Sequence, residues 1–158
     1  MRIRRGTIVV GVAVVVTLAG AWQPGAQAKG QPKKNRGCSD ATISGAYGIQ
    51  ITGTQPSAPG GPIESVIGVA IRHYDGQGQF TQVGNVKGSI SGMVPDQPGF
   101  GTYQVNEDCS AVAQFQPAPG VLIEERLVIV DDGDEIRSMA SLPPLVMVTG
   151  VHKKIDVR

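Results

Sequence analysis

Apolar and polar side chains alternate from Ala46 to Thr52. Tyr47, Ile49 and Ile51 fall on one face and Gly48, Gln50 and Thr52 on the other, as in a half-buried strand. Similar runs recur to the end of the chain. Ile63 to Tyr74 predicts a long strand, and Asp75-Gly76-Gln77-Gly78 reverses it into a run beginning near Gln79. Asp-Gly between strands is a hairpin signal, because glycine accepts the positive φ of a tight turn. Asn85 to Ser91 continues that run past a bend at Gly84. The stretches TQPSAPGGP (54–62) and MVPDQPG (93–99) read as loops by composition. Phe100 to Asn106 and Ser110 to Gln116 flank a second turn at Glu107-Asp108-Cys109. Beyond Pro117-Ala118-Pro119-Gly120, Val121 to Val130 turns through Asp131-Asp132-Gly133-Asp134 into Glu135 to Ser141. A last strand is predicted from Leu145 to about His152, after Pro143-Pro144. No segment keeps a 3.6-residue period over three turns.

About eight strands joined by short links predict an all-β domain, a small antiparallel up-and-down barrel of the lipocalin or calycin kind. A β-sandwich is the alternative. Closure removes the sheet edges that would otherwise aggregate. Glycines inside strands, such as Gly68, Gly84, Gly88 and Gly101, suit the bends of a small barrel. The inward apolar candidates are Ile49, Ile51, Val69, Ile71, Val105, Val128, Val130, Val146 and Val148. His73 shares the Ile67, Val69 and Ile71 face near its strand end. Tyr47, Ile49, Ile71 and His73 are thus the candidate pocket residues.

Residues 1–28 read as a removable export signal. Met1-Arg2-Ile3-Arg4-Arg5 is basic, Thr7 to Ala21 is apolar, and Ala26-Gln27-Ala28 presents small residues to signal peptidase. The apolar run falls short of the roughly 20 residues that span a bilayer. Cleavage between Ala28 and Lys29 leaves 130 of the 158 residues and removes Trp22. It also changes the net charge from +1 to −2. The mature chain then has a basic disordered lead-in, 29–37, and one barrel domain, 38–158. Val and Ile outnumber Leu by 25 to 4 in the mature chain, a skew toward the pleated sheet. A secreted or periplasmic protein is expected, with no stable membrane span after cleavage. Between Cys38 and Gly150, four basic residues face twelve acidic ones, which argues against a nucleic-acid groove.

Two cysteines, Cys38 and Cys109, in an exported chain suggest one disulfide. A catalytic thiol would need a positioned base, and zinc two further ligands. The chain offers only His73 and His152 for either, without metal-ligand spacing. No metal and no cofactor are expected.

Three segments carry a family resemblance. They are Cys38…Ile43-Ser44-Gly45-Ala46-Tyr47-Gly48, Tyr74-Asp75-Gly76-Gln77-Gly78-Gln79-Phe80, and Gly101-Thr102-Tyr103-Gln104-Val105-Asn106-Glu107-Asp108-Cys109-Ser110. Together they resemble small exported bacterial proteins, mostly hypothetical, with Gly-x-Tyr-Gly, Asp-Gly-x-Gly and Gly-Thr-Tyr-x-Val-Asn-x-Asp-Cys motifs. The resemblance spans residues 38–136. It implies an architecture similar to calycin and allene-oxide-cyclase-like barrels, and it brings no assigned chemistry.

Catalytic signatures fail on inspection. Gly88-Ser89-Ile90-Ser91-Gly92 has Ile90 where a nucleophile elbow needs serine. Asp131-Asp132-Gly133-Asp134-Glu135 lacks the spacing of an EF-hand loop. Glu124 and Glu125 alternate across a strand, so only one of them can enter an interior. His152, beside Lys153 and Lys154, reads as a solvated tail residue. Eight strands leave an interior just wide enough for side chains or one small ligand. With only six mature aromatic residues to fill it, the expected function is non-enzymatic binding of a small apolar ligand. The alternatives are a cyclase- or isomerase-like barrel enzyme and an envelope structural or interaction protein. No feature points to a particular protein partner.

Overall fold

Short β-branched runs separated by turn residues pair here with their nearest neighbours in sequence, and the ladder closes on itself. The structure, a computed structural model, describes residues 37–156. The signal segment, its Ala28/Lys29 junction and all of the basic lead-in but Gly37 lie outside the described residues. Eight antiparallel strands form a closed barrel in chain order: β1 (Gly45–Pro56), β2 (Ile63–Tyr74), β3 (Gln79–Gly88), β4 (Gly92–Val105), β5 (Ser110–Ala118), β6 (Val121–Val130), β7 (Glu135–Leu142) and β8 (Met147–Lys154). β8 pairs with β1 to complete the ring. Among the described residues no helix is long and apolar enough to cross a membrane.

The predicted loop at 93–99 is instead the first half of β4. The ladder tolerates its prolines at an irregularity, where the register with β3 shifts between Gly84 and Val86 and Asp96 takes φ 47°. Similarly, β1 runs four residues beyond Thr52 into the predicted loop, to Pro56.

Two strands present the face opposite to the one expected. Ile67, Val69 and Ile71 of β2 point outward, as does His73, while Glu64, Val66, Ala70, Arg72 and Tyr74 are buried. In β6, Val128 is exposed while Leu127 and Ile129 are buried. The β2 reversal follows from pairing. Tyr47, Ile49 and Ile51 lie opposite Arg72, Ala70 and Gly68, and directly paired residues share a face. Once β1 turns Tyr47 inward, the register carries Arg72 inward with it. The bulkier β2 face is left outside, and the small Gly68 and Ala70 lie beside Ile51 and Ile49.

One end of the barrel is plugged. A 3₁₀ turn, Asp40–Ile43, lays the fully buried Ile43 beneath Tyr47, Tyr74, Tyr103 and Ile136. The Tyr74 ring meets Tyr47 and Tyr103 edge-on, at 5.4 and 5.0 Å between centroids. Such pairs contribute about 0.5–1.5 kcal/mol each beyond burial. Asp40 accepts the Val105 N–H at 2.8 Å, and the Tyr103 hydroxyl accepts the Gly76 N–H at 2.9 Å. The Tyr47 hydroxyl donates to the Gly133 carbonyl. Cys38 and Cys109 form a disulfide, with Cα atoms 4.9 Å apart, and tie the plug to the β4–β5 turn. That bond fits an oxidising compartment.

Candidate functional site

The other end, where the β1–β2, β3–β4, β5–β6 and β7–β8 links lie, is open. Below them is a cavity of about 480 Å³. Its walls are apolar: Ile49 and Ile51 from β1, Val66 from β2, Val86 from β3, Ile123 from β6, and Val146 and Val148 at β8. At the rim the Glu64 carboxylate accepts the Ile90 and Ser91 N–H groups at 2.8 Å each and the Ser91 hydroxyl at 2.7 Å. The Ser91 backbone bond leads a set that lowers the Glu64 pKa to about 2. This carboxylate fixes the β3–β4 link at the rim.

The cavity floor is polar. Arg72, 2% exposed, crosses the interior from β2. Its Nη1 and Nη2 donate to Glu125 of β6 at 2.6 and 3.2 Å, a forked pair. Nε donates to Gln82 Oε1 at 2.8 Å, and Nη1 also donates to the Tyr74 hydroxyl at 3.2 Å. The guanidinium carbon lies 4.1 Å from the Phe80 ring centroid and 5.4 Å from that of Phe115. Burial works against the charge on Arg72, but the adjacent Glu125 carboxylate more than offsets it, and the arginine pKa is raised.

His152 completes the floor from β8. It is 1% exposed, not solvated as its basic neighbours imply, because β8 alternates Lys153 outward and His152 inward. Nδ1 lies 3.4 Å from the Tyr74 hydroxyl and Nε2 2.9 Å from Ser138 Oγ. Burial first, then the Arg72 charge, pushes its pKa down to about 3, so the ring is neutral at pH 7.

The candidate pocket residues are divided by the structure. Ile49 lines the cavity. Tyr47 is fully buried in the plug beneath it. Ile71 and His73 face the outside of the barrel, and His73 sits with Phe100 and Leu122 in an open surface depression. Of the two adjacent glutamates, Glu125 enters the interior, and Glu124 pairs with Arg126 at 3.0 Å. Arg72, Gln82, Ser138 and His152 were not anticipated. The β1–β2 pairing, followed from Tyr47, would have found Arg72.

No family model matches the chain, and no curated protein matches it. Among solved structures it is similar to the S-type phycobiliprotein lyase CPES from Guillardia theta. The match has 7% identity and a TM-score of 0.39, over 75% of this chain and 92% of that one.

Chemically, the floor is better suited to reading a ligand than to moving a proton. A general acid or base works best with a pKa near the ambient pH. His152 lies far below neutrality, and the Glu125 carboxylate is engaged by Arg72.

Proposed function

We propose that this is an exported, non-enzymatic binding protein that holds one small, largely apolar molecule inside its barrel. The observation that carries this reading is the cavity: about 480 Å³, apolar along its walls, open at one end and closed by a packed plug at the other. That volume falls within the range of small-molecule sites, and a few convergent polar groups at the base are what such sites use to orient a ligand. Export rests on residues 1–28 together with the Cys38–Cys109 disulfide. On this reading the secreted or periplasmic protein begins at Lys29.

The test is titration with the apolar fluorophore N-phenyl-1-naphthylamine. Saturable enhancement at one site per chain is expected. It should be abolished by Ala140→Trp, which fills the cavity from β7, in protein whose circular dichroism is unchanged. Absence of saturable binding to the unaltered protein overturns the reading and favours an envelope structural role.

A further inference from the structure

Counting donors and acceptors constrains where the hydrogen atoms of the floor lie. Tyr74 accepts from Arg72 Nη1, and among the described residues the nearest acceptor for its own O–H is His152 Nδ1. A neutral imidazole carries one N–H. If Nδ1 accepts, that hydrogen resides on Nε2 and is donated to Ser138 Oγ. With that tautomer the polarity runs in one direction, from Arg72 through Tyr74 and His152 to Ser138. It ends on the Ser138 hydroxyl hydrogen, at the surface of the cavity.

Arg72 supplies a second donor. Four hydrogen bonds, to Gln82, Tyr74 and twice to Glu125, occupy four of the five N–H groups of a guanidinium. One Nη2 hydrogen makes no bond among the described residues, and Arg72 also lines the cavity. The floor thus offers these two donors, together with the amide N–H groups of Gln82, whose Oε1 is the acceptor for Arg72. It carries no net charge, since Glu125 neutralises Arg72.

We propose that this floor selects an uncharged hydrogen-bond acceptor, a ketone, aldehyde or ester oxygen, at one end of an apolar ligand. The inference rests on the cavity binding a ligand at all, as proposed above. A carbonyl oxygen accepts from Ser138 and Arg72 and loses little hydration on entry. A carboxylate of the same length would give up its water for a cation that Glu125 has already neutralised, next to the Glu125 charge itself.

The experiment is displacement of N-phenyl-1-naphthylamine at pH 7.5 by three ligands: 2-undecanone, decanoate and pentylbenzene. In the unaltered protein, 2-undecanone should bind at least tenfold more tightly than decanoate. Ser138→Ala should weaken 2-undecanone about five- to tenfold and leave pentylbenzene unchanged. Glu125→Gln, which leaves the arginine charge uncompensated, should shift the preference toward decanoate. Should that variant not fold, the first two comparisons still decide the matter. Decanoate binding as well as the ketone, or Ser138→Ala weakening pentylbenzene equally, overturns the selection for an uncharged acceptor while the cavity reading stands. Failure of the fluorophore itself to bind takes down both.

Discussion

Arg72 of β2 and Glu125 of β6, on strands four apart around the ring, meet across the barrel interior with 2.6 Å between Nη1 and Oε2. Breaking a buried pair is costly because the remaining charge stays in the interior, by about 3–5 kcal/mol. Arg72→Met should therefore lower stability to urea by roughly 3 kcal/mol, toward the low end because Glu125 borders the cavity. The double variant Arg72→Met/Glu125→Leu should regain most of that loss. A double variant no more stable than the single would mean that the pair's partners, and not its charges, depend on Arg72.

Acid should weaken the fold already between pH 7 and 5. The His152 pKa is lowered from 6.5 to about 3 on folding, so between these values the unfolded chain binds the extra proton. Its contribution is complete above pH 6.5 and is lost as the pH falls toward 3. Between pH 7 and 5 this amounts to about 2 kcal/mol. The Glu64 contribution goes in a lower window, since its pKa falls from 4.5 to about 2. Urea midpoints measured from pH 7 to 5 should decline in the unaltered protein. They should be nearly flat in His152→Gln.

Cys38 and Cys109 lie 71 residues apart in sequence, and the bond between them restricts a long loop of the unfolded chain. The chain-entropy model sets a ceiling of about 4 kcal/mol for a loop of that size. Replacing both cysteines with serine should cost about 2–4 kcal/mol in a denaturant series. Because the bond holds the plug and not the rim, fluorophore affinity should be unchanged under conditions where the variant is folded. Loss of binding in the folded variant would show that the plug shapes the cavity.

Gly101 pairs with Phe80 on one side and Phe115 on the other, and those two rings lie 6.1 Å apart. A Cβ at position 101 would run into the Phe80 ring and the Gln114 carbonyl. The Gln114 carbonyl is backbone and cannot turn aside. Gly101→Ala should cost about 1–3 kcal/mol and disturb the packing of Arg72 on Phe80. A melting temperature equal to that of the unaltered protein would contradict this.

Hairpin turns and strand spacing were legible because they depend on local chemistry. Asp75-Gly76 reverses the chain where expected, and Ile63–Tyr74 is the strand predicted. Facing was harder to read. Ile67, Val69 and Ile71 outweigh Gly68 and Ala70 in hydrophobicity, so β2 read alone points the wrong way. Only its pairing with β1 corrects it. The polar floor stayed hidden for a related reason. Arg72 sits in a strand whose odd positions look like the core, and His152 is flanked by lysines. What makes each an interior residue is a partner about fifty to eighty positions distant, Glu125 or Tyr74.

The seam between β1 and β8 joins residues roughly a hundred positions apart, such as Ile49 and His152. Contacts so remote make folding slow, on the order of milliseconds to seconds, because a long loop must close before they form. Until the seam forms, β1 has a free edge. Ser138 and His152 belong to the last two strands, so the donor chain that ends on Ser138 comes into being only when the ring shuts. A molecule caught earlier would meet Arg72, Gln82 and Glu125 without His152, so the proposed selection for an acceptor would be complete only once the seam has formed.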